Sequence, residues 1–572
     1  HVHTAYSLDA YLGGTRLTPA DAYRHAKGEG VVVNGKPHRM RRPLDFAAVT
    51  DHAEYLGEMY AAAHPGSPGH DQPEIQQLIS LKDPDEQRKW FLKYVVSNNR
   101  GANPQHLPFY PGDAVVRNGW QEVVAAADEH YVPGQFTTFP AFEWSSAPGG
   151  ANLHRNILFR GSKVPEQPMS AFEIPREEAL WEWLAEQAAA GARAIALPHN
   201  SNASKGLMFP DQASDGSPLD EAYAARRAEF ERAIEIMQIK GTSETHPMLS
   251  PEDEFADFEL LTGQLSASAD ESDPRGSYAR DALRTGIEFS HTEGFNPYRF
   301  GVIGSSDSHN SSSSVEESRH HGKLPLMDGS AGLRLGKSMF LPGSLHRTKN
   351  WGAAGLAGVW AQENTRESIY DALERRETFA TSGPRISLRF FGSFNYSAEM
   401  MQNPELLAQA YAGGVPMGGV LKAAADAEAD NKAEAPAFAL WVAKDPAGAN
   451  LDRLQIIKGW IDADGNSQEK VFDVALSDQR QPNANGNIPP VGNTVDVASA
   501  SYSNTIGAQQ LQAFWSDPDF DPTREAFYYA RALEIPTPRW STFDAMRLGV
   551  EAPQPTSLQE RAISSAIWYQ PE

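Results

Sequence analysis

Up to about residue 310 the chain alternates short apolar runs with helical patterns, and most of the runs meet a histidine or a carboxylate at one end. The runs are 45–50 (DFAAVT), 137–143 (TTFPAFE), 156–159 (NILF), 194–198 (AIALP), 233–239 (AIEIMQI) and 300–305 (FGVIGS). Each has the length of a strand and is too short for a buried helix. Stretches such as 176–190 (REEALWEWLAEQAAA) and 277–285 between them carry helical spacing. This is the rhythm of βα repeats, so the fold class expected is α/β. Most of the polar residues fall at or close to an end of one of these runs, and a βα barrel builds its active site at the C-terminal ends of its strands.

Those residues come from six separate segments. His1 and His3 stand two apart, which on a strand puts both side chains on one face, and Asp9 follows in a turn. Asp51 and His52 come directly after DFAAVT, Glu143 ends PAFE, His154 starts HRNILF, His199 ends AIALPH, and Asp307 and His309 form D-S-H after GVIGSS. Each signal has a plain alternative. A lone buried histidine is usually a satisfied core residue, and an Asp after a strand can cap the next helix. Six such segments together point to a metal site.

Composition narrows the partners. The chain has 572 residues, more than one compact domain usually holds, and 74 acidic against 50 basic residues, a net charge of −24. That balance repels phosphate backbones and anionic membrane surfaces, so a nucleic acid polymer is not expected as partner. With no cysteine, disulfides, thiolate metal sites and thiol nucleophiles are excluded. No apolar run is long enough to span a bilayer, so no membrane insertion is expected. The acidic, cysteine-free composition suggests a periplasmic or secreted bacterial protein.

Two long segments interrupt the rhythm, 55–120 with helical character and 242–276, acidic and loop-like; both are candidates for walls over the site or for solvated decoration. Near residue 384 the character changes. From 385 to 548 alternating strands with DG and NG turns predict a β-rich, sandwich-like accessory domain. Residues 423–437 and 480–495 read as loops, and 549–572 as a tail packed on the body. The first domain is placed at 1–384.

HVHTAYSLDA, VTDH, Glu143, LPHN and SSDSHN resemble the motifs of the PHP (polymerase and histidinol phosphatase) superfamily. QIKGTSE, RDALRTG, WAQENTRESIYDALERRETFATSGPRI and FYYARALEIPTPRW resemble its large bacterial branch catalogued as a domain of unknown function, and this likeness runs over nearly the whole chain. The resemblance implies a distorted seven-stranded βα barrel and two to three divalent metal ions, Mn²⁺, Zn²⁺ or Fe²⁺. It implies a first ion on His1, His3, Glu143 and Asp307, a second on Glu143, His154 and His199, and a third on Asp9, His52 and His309. The carboxylate at Asp9, where some members have histidine, favours Mn²⁺ or Fe²⁺ over Zn²⁺. The family has a strand before its first HxH, so residues upstream of His1 are expected.

Close divalent ions bridged by a carboxylate lower the pKa of bound water from roughly 16 towards about 7 and polarise the oxygens of an electrophile, most naturally a phosphate ester. Neither a GxSxG nor a Walker-type loop is present, which weakens the serine-hydrolase and triphosphatase readings. The catalytic candidates are Glu143, His309 and Asp51, the last either a proton shuttle, an orienting carboxylate or a plain acceptor of backbone N–H bonds. For a small anionic substrate, Asn200, Lys205, Lys240, Arg299 and the pair His320–His321 are candidates; Lys240 could instead form an internal ion pair with a ligand carboxylate. Arg376 and Arg385 read as ties between the two domains. The expected function is a metal-dependent phosphoesterase acting on a mono- or diester. Hydrolysis of a carboxylic ester, lactone or amide, and a non-catalytic periplasmic binding protein, are the competing readings.

Overall fold

A computed structural model describes every residue except 34, 68, 92, 94–105, 107–111, 262–273, 313–314, 337–349, 423–434, 485–486 and 572. The fold is mixed α/β. Besides the hairpin Val31–Val33/Lys36–His38 and the short strand Gly241–Thr242, the described residues of the first part up to 304 form β1 (Phe46–Ala48), β2 (Thr137–Phe139), β3 (Ala141–Trp144), β4 (Arg155–Phe159), β5 (Ala194–Pro198), β6 (Ala233–Gln238) and β7 (Gly301–Gly304). All residues of β2 to β7 are buried. A strand covered on both faces needs apolar residues without alternation, which is why these segments read as continuous runs.

The strands pair as β1 with β2 and β6 with β7, both parallel, while β4 runs antiparallel between β3 and β5. None of these sheets closes on itself among the described residues; they contain two or three strands each. Single parallel bridges join them: Val2 to Val49 and to Ser308, His52 to Glu143, and His199 to Glu235. Every bridge involves a residue of the predicted site or its immediate neighbour. The reversal of β4 explains why His154 precedes its strand whereas the others follow theirs. The start of an antiparallel strand lies at the same end as the finishes of its neighbours.

The second part is two antiparallel-dominated sheets around a shared core. The larger contains β8 (Leu356–Val359), β9 (Thr378–Thr381), β12 (Leu451–Ile461), β13 (Ser467–Leu476), β15 (Ala526–Glu534), β16 (Arg561–Ser564) and β17 (Ile567–Gln570), in the order β8-β9-β16-β15-β12-β13 with β17 also beside β15. The smaller contains β10 (Ser387–Ser393), β11 (Ala437–Ala443) and β14 (Gln510–Ser516), with Val415–Pro416 at its edge. Phe390, Phe438 and Leu440 from the smaller sheet pack with Leu454, Tyr528 and Ile567 from the larger one.

The sequence reading drew this unit from 385 to 548 and set 549–572 apart as a tail. The strands do not respect either boundary. β8 and β9 begin before 384, and β16 lies inside the large sheet between β9 and β15. The reason is the edge of β7: the Val302 N–H donates to Ser565 at 3.0 Å, and Thr378 donates to the Val302 carbonyl at 2.9 Å. A strand edge must find partners, and here they come from distant chain. The approach requires Gly304, since a Cβ there would stand 2.8 Å from the carbonyls of Leu356 and Thr381.

Parts of both long insertions are buried in the body of the protein and are not solvated decoration. Tyr55, Met59, Ala62, Ile75 and Leu78 pack with Leu8, Tyr11 and Leu12, buttressing the short helix that carries Asp9. In 242–276, Glu244 and Asp253 are buried and pair with Arg280 and with Arg531 of β15. Residues 423–434 of the predicted loop lie outside the described residues. No helix among the described residues is long and apolar enough to cross a membrane.

Candidate metal centre

Glu143, wholly buried at the end of β3, is ringed by four imidazoles. His3 Nε2 lies 3.0 Å, His52 Nδ1 3.1 Å, His154 Nδ1 2.6 Å and His199 Nε2 3.2 Å from its oxygens. Among the described residues no lysine or arginine pairs with it. Asp307 gathers the other side of the cluster: His1 Nε2 at 3.7 Å, His3 Nε2 at 3.4 Å and His309 Nδ1 at 3.4 Å. Asp9 closes the third corner, 3.5 Å from His52 and 2.9 Å from His309. All nine residues that the resemblance implies as ligands therefore meet in one place.

The chain's bends serve that convergence. Asp307 holds a left-handed backbone at φ 51°, a conformation costly for a non-glycine residue and fixed here by backbone bonds from the Asp307 N–H to the His1 carbonyl and from the His3 N–H to the Ser308 carbonyl. Burial of an unpaired carboxylate normally raises its pKa. For Glu143 burial acts that way, but His199, His52, His154 and His3 overcome it and hold it well below the usual range. For Asp307 burial is likewise outweighed, by Lys240 and Lys323. Burial pushes the His154 imidazole down to about 4.

Despite these contacts, five buried atoms in the cluster make no hydrogen bond: His1 Nε2, His3 Nε2, His154 Nδ1, His199 Nε2 and Glu143 Oε2. Buried polar atoms are almost always satisfied, so a convergent set of orphans marks a missing partner. Nitrogen and carboxylate oxygen are the donors divalent ions accept. Three groups bring ligand atoms within 4.8 Å of one another: His1, His3, Glu143 and Asp307; His3, His52 and His309; and His52, Glu143 and His154. The cluster could hold a metal ion. The first group coincides with the first ion implied by the resemblance. The other two differ from it in detail, with His3 in place of Asp9 beside His52 and His309, and His52 in place of His199 beside Glu143 and His154.

The cluster is unevenly exposed. The side chains of Asp9, His52 and His154 are 25%, 14% and 16% exposed, whereas those of His3, Glu143 and His199 are at 0%.

The remaining candidates divide. Asp51 is buried and fully engaged, accepting from the Thr4 N–H at 2.6 Å, the Thr4 hydroxyl at 2.6 Å and the Ser7 hydroxyl at 2.7 Å. It orients the His3 loop from a wholly buried position. Lys240 takes the internal ion pair: its ammonium contacts Asp307 Oδ2 and donates to Asn200 Oδ1 at 2.7 Å. Asn200 thus reaches the cluster through Lys240. Lys205 donates to the Gly149 carbonyl at 2.8 Å. Arg299 is not at the site. It pairs with Glu525 at 3.0 Å and lies over Trp568, a tie to the second sheet unit, because burial beside a carboxylate of that unit satisfies it there. Arg376, donating to the Arg299 carbonyl, joins the same seam. His320 packs on Trp540, and His321 bonds Ser312 at 3.0 Å, both away from the nine.

Four participants escaped the sequence reading. Glu235, buried in β6, bonds His1 Nδ1 at 2.7 Å and leaves Nε2 for the cluster. Ser7 does the same for His3 at 2.9 Å. Asn156 lies 3.3 Å from His199 Nδ1. Lys323 bonds the Asp307 carbonyl at 3.0 Å and contacts His309 Nε2 at 3.0 Å; burial depresses its pKa to about 8 against the pull of Asp307. A carboxylate inside an apolar strand was the available signal for Glu235. Lys323, in an ordinary GKLP stretch, gave none.

Residues 1–571 match the family described as a protein of unknown function (DUF3604). The chain belongs to that family. No curated protein and no solved structure matches it. The DUF3604 family description assigns no activity, so the functional reading rests on the chemistry of the cluster.

Proposed function

We propose that this DUF3604 chain is a metal-dependent hydrolase that cleaves a phosphate mono- or diester, and that its first part is a distorted seven-stranded βα barrel of the PHP type. The series of pairings that runs from Ser308 through Val2 to Val49, and on through His52–Glu143 and His199–Glu235, supports the barrel reading. The observation that carries the function is Glu143: a buried carboxylate among four imidazoles, with orphaned atoms on both sides.

Two or three divalent ions bound here would lower the pKa of water and neutralise charge on phosphate oxygens. The residues of the chain do the rest. Glu143 bridges adjacent ligand groups. Asp51, through Thr4 and Ser7, holds the loop between His3 and Asp9 in place. Glu235 and Ser7 fix the tautomers of His1 and His3, so that each presents a lone pair inward. Lys240 and Lys323 anchor Asp307. Asp9, His52 and His154 form the rim to which the ester is brought.

The test is metal analysis of the purified protein, followed by turnover of p-nitrophenyl phosphate, bis-p-nitrophenyl phosphate and a panel of carboxylic esters after Mn²⁺ loading. Turnover of a phosphate substrate, abolished by chelation, is expected. Turnover of the carboxylic esters alone would replace the bond cleaved while keeping the metal centre, and a metal-free protein without turnover would defeat both.

A further inference from the structure

A second cavity, of about 360 Å³, lies apart from the metal centre; none of the nine clustered residues lines it. It is walled by the hairpin Val31–Val33/Lys36–His38 and the loop after it, by the turn Glu317–Arg319, and by the helices Ala331–Arg334 and Trp540–Leu548. Eight lysines and arginines line it, in a chain that carries 24 more acidic than basic residues. Three carboxylates answer them. Arg334 and Arg547 share Asp544, at 2.7 and 2.9 Å. Arg41 and Arg319 share Glu316 Oε2, at the longer distances of 3.4 and 3.7 Å. Arg42 pairs with Asp445.

Arg39 and Arg385 spend their donors on backbone carbonyls: Gly28 at 2.6 Å for the former, Arg42 at 2.9 Å for the latter. A carbonyl accepts the hydrogen bond without cancelling the charge, so the cavity keeps a net positive field. Four imidazoles also line it. The His38 and His321 rings lie 4.3 Å apart, and burial, reinforced by neighbouring histidines and, for His321, by Arg334, pushes His25 down to about 4 and His321 to about 3. Concentrated cations around a concave space are the recognition chemistry of oxyanions, since guanidinium forks match tetrahedral oxyanions in pairs.

We propose that this cavity binds a small anion carrying at least two phosphate or sulfate groups, at a site separate from the metal centre. The volume falls within the range of small-ligand sites. Arg41 and Arg319, whose side chains are 57% and 43% exposed and whose shared carboxylate stands at 3.4 and 3.7 Å, are the carboxylate-paired arginines most available to a ligand.

The test uses the full chain and methylenediphosphonate, which hydrolysis cannot consume, followed by calorimetric titration at low and high salt. Wild-type protein should bind one equivalent at the cavity with an affinity that falls with salt. Glu143→Gln, which disables the metal centre, should keep that binding within about twofold. Arg41→Ala/Arg319→Ala should weaken it at least tenfold with unchanged metal content, and Lys36→Ala, at an exposed hairpin position, should weaken it less. Binding lost in Glu143→Gln but kept in the double arginine variant would place the anion at the metal centre and overturn the proposal. Absence of saturable binding by the wild type would overturn it equally, and neither result touches the phosphoesterase reading.

Discussion

His3 Nδ1 lies 2.9 Å from the Ser7 hydroxyl, and that contact decides which nitrogen of His3 faces the cluster. The one hydroxyl proton of Ser7 goes to Asp51 Oδ1 at 2.7 Å, so its oxygen must accept from His3. The proton then sits on Nδ1 and the lone pair of Nε2 points between Glu143 and Asp307. Ser7 is also the N-cap of the helix Leu8–Leu12, yet its side chain makes no capping bond, being spent on the site instead.

Ser7→Ala should therefore lower metal affinity by about tenfold to a hundredfold while leaving the far-ultraviolet circular dichroism unchanged. A chelator-competition titration with Mn²⁺ reads this directly. Unchanged affinity would mean that His3 is oriented by something other than Ser7.

Glu143→Gln removes the bridging charge and leaves four imidazoles facing a neutral amide. Bound metal should be lost, and turnover of p-nitrophenyl phosphate should drop by roughly a hundredfold or more. Excess Mn²⁺ should stabilise the wild type by about 2.7 kcal/mol at a hundred times its Kd and leave the melting midpoint of the variant in place. Differential scanning calorimetry with and without Mn²⁺ checks it.

Glu317 gives a pH dependence with a definite sign. Burial, and next the charge of Glu259, pushes its carboxyl up to about 8 from the ordinary 4.5. The folded state holds a proton that the unfolded state has released, so the stability this group lends is complete below pH 4.5 and is lost as pH rises through 8. Glu317→Gln stays neutral and can still accept from the Trp540 N–H. Its advantage over the wild type should grow by about 2 kcal/mol or more between pH 5 and pH 8.5, measured by urea unfolding. An advantage that shrinks with pH would reverse the assignment.

Arg531 should be among the costliest residues to lose. Wholly buried on β15, it pairs with Asp253 at 2.7 Å and Glu244 at 3.1 Å, joining the 242–276 segment to the large sheet. Arg531→Met leaves both carboxylates short of a partner, at a cost of about 3–5 kcal/mol in urea unfolding. Arg531→Lys should recover only part of it, because an ammonium cannot make the forked contact.

The sequence alone determined most of the strand segments and the inventory of histidines and carboxylates that cluster. Segments such as AIALP and AIEIMQ are apolar throughout because both faces are covered, a property of local composition that survives without any knowledge of neighbours. Histidines and carboxylates beside such runs are conspicuous, since nothing apolar explains them. Tertiary structure decided everything that depends on direction and partnership. The antiparallel course of β4 brought His154 to the shared end. Asp51 became a support because Thr4 and Ser7 reached it first. Lys240 went to Asp307, and Arg299 to Glu525 in the second unit. β16, from the last residues of the chain, entered the middle of a sheet begun near residue 356. Hydrogen bonds and ion pairs act over a few ångströms in space and carry no record of their separation along the chain. A residue's type is therefore legible in sequence, while the partner that fixes its role is not.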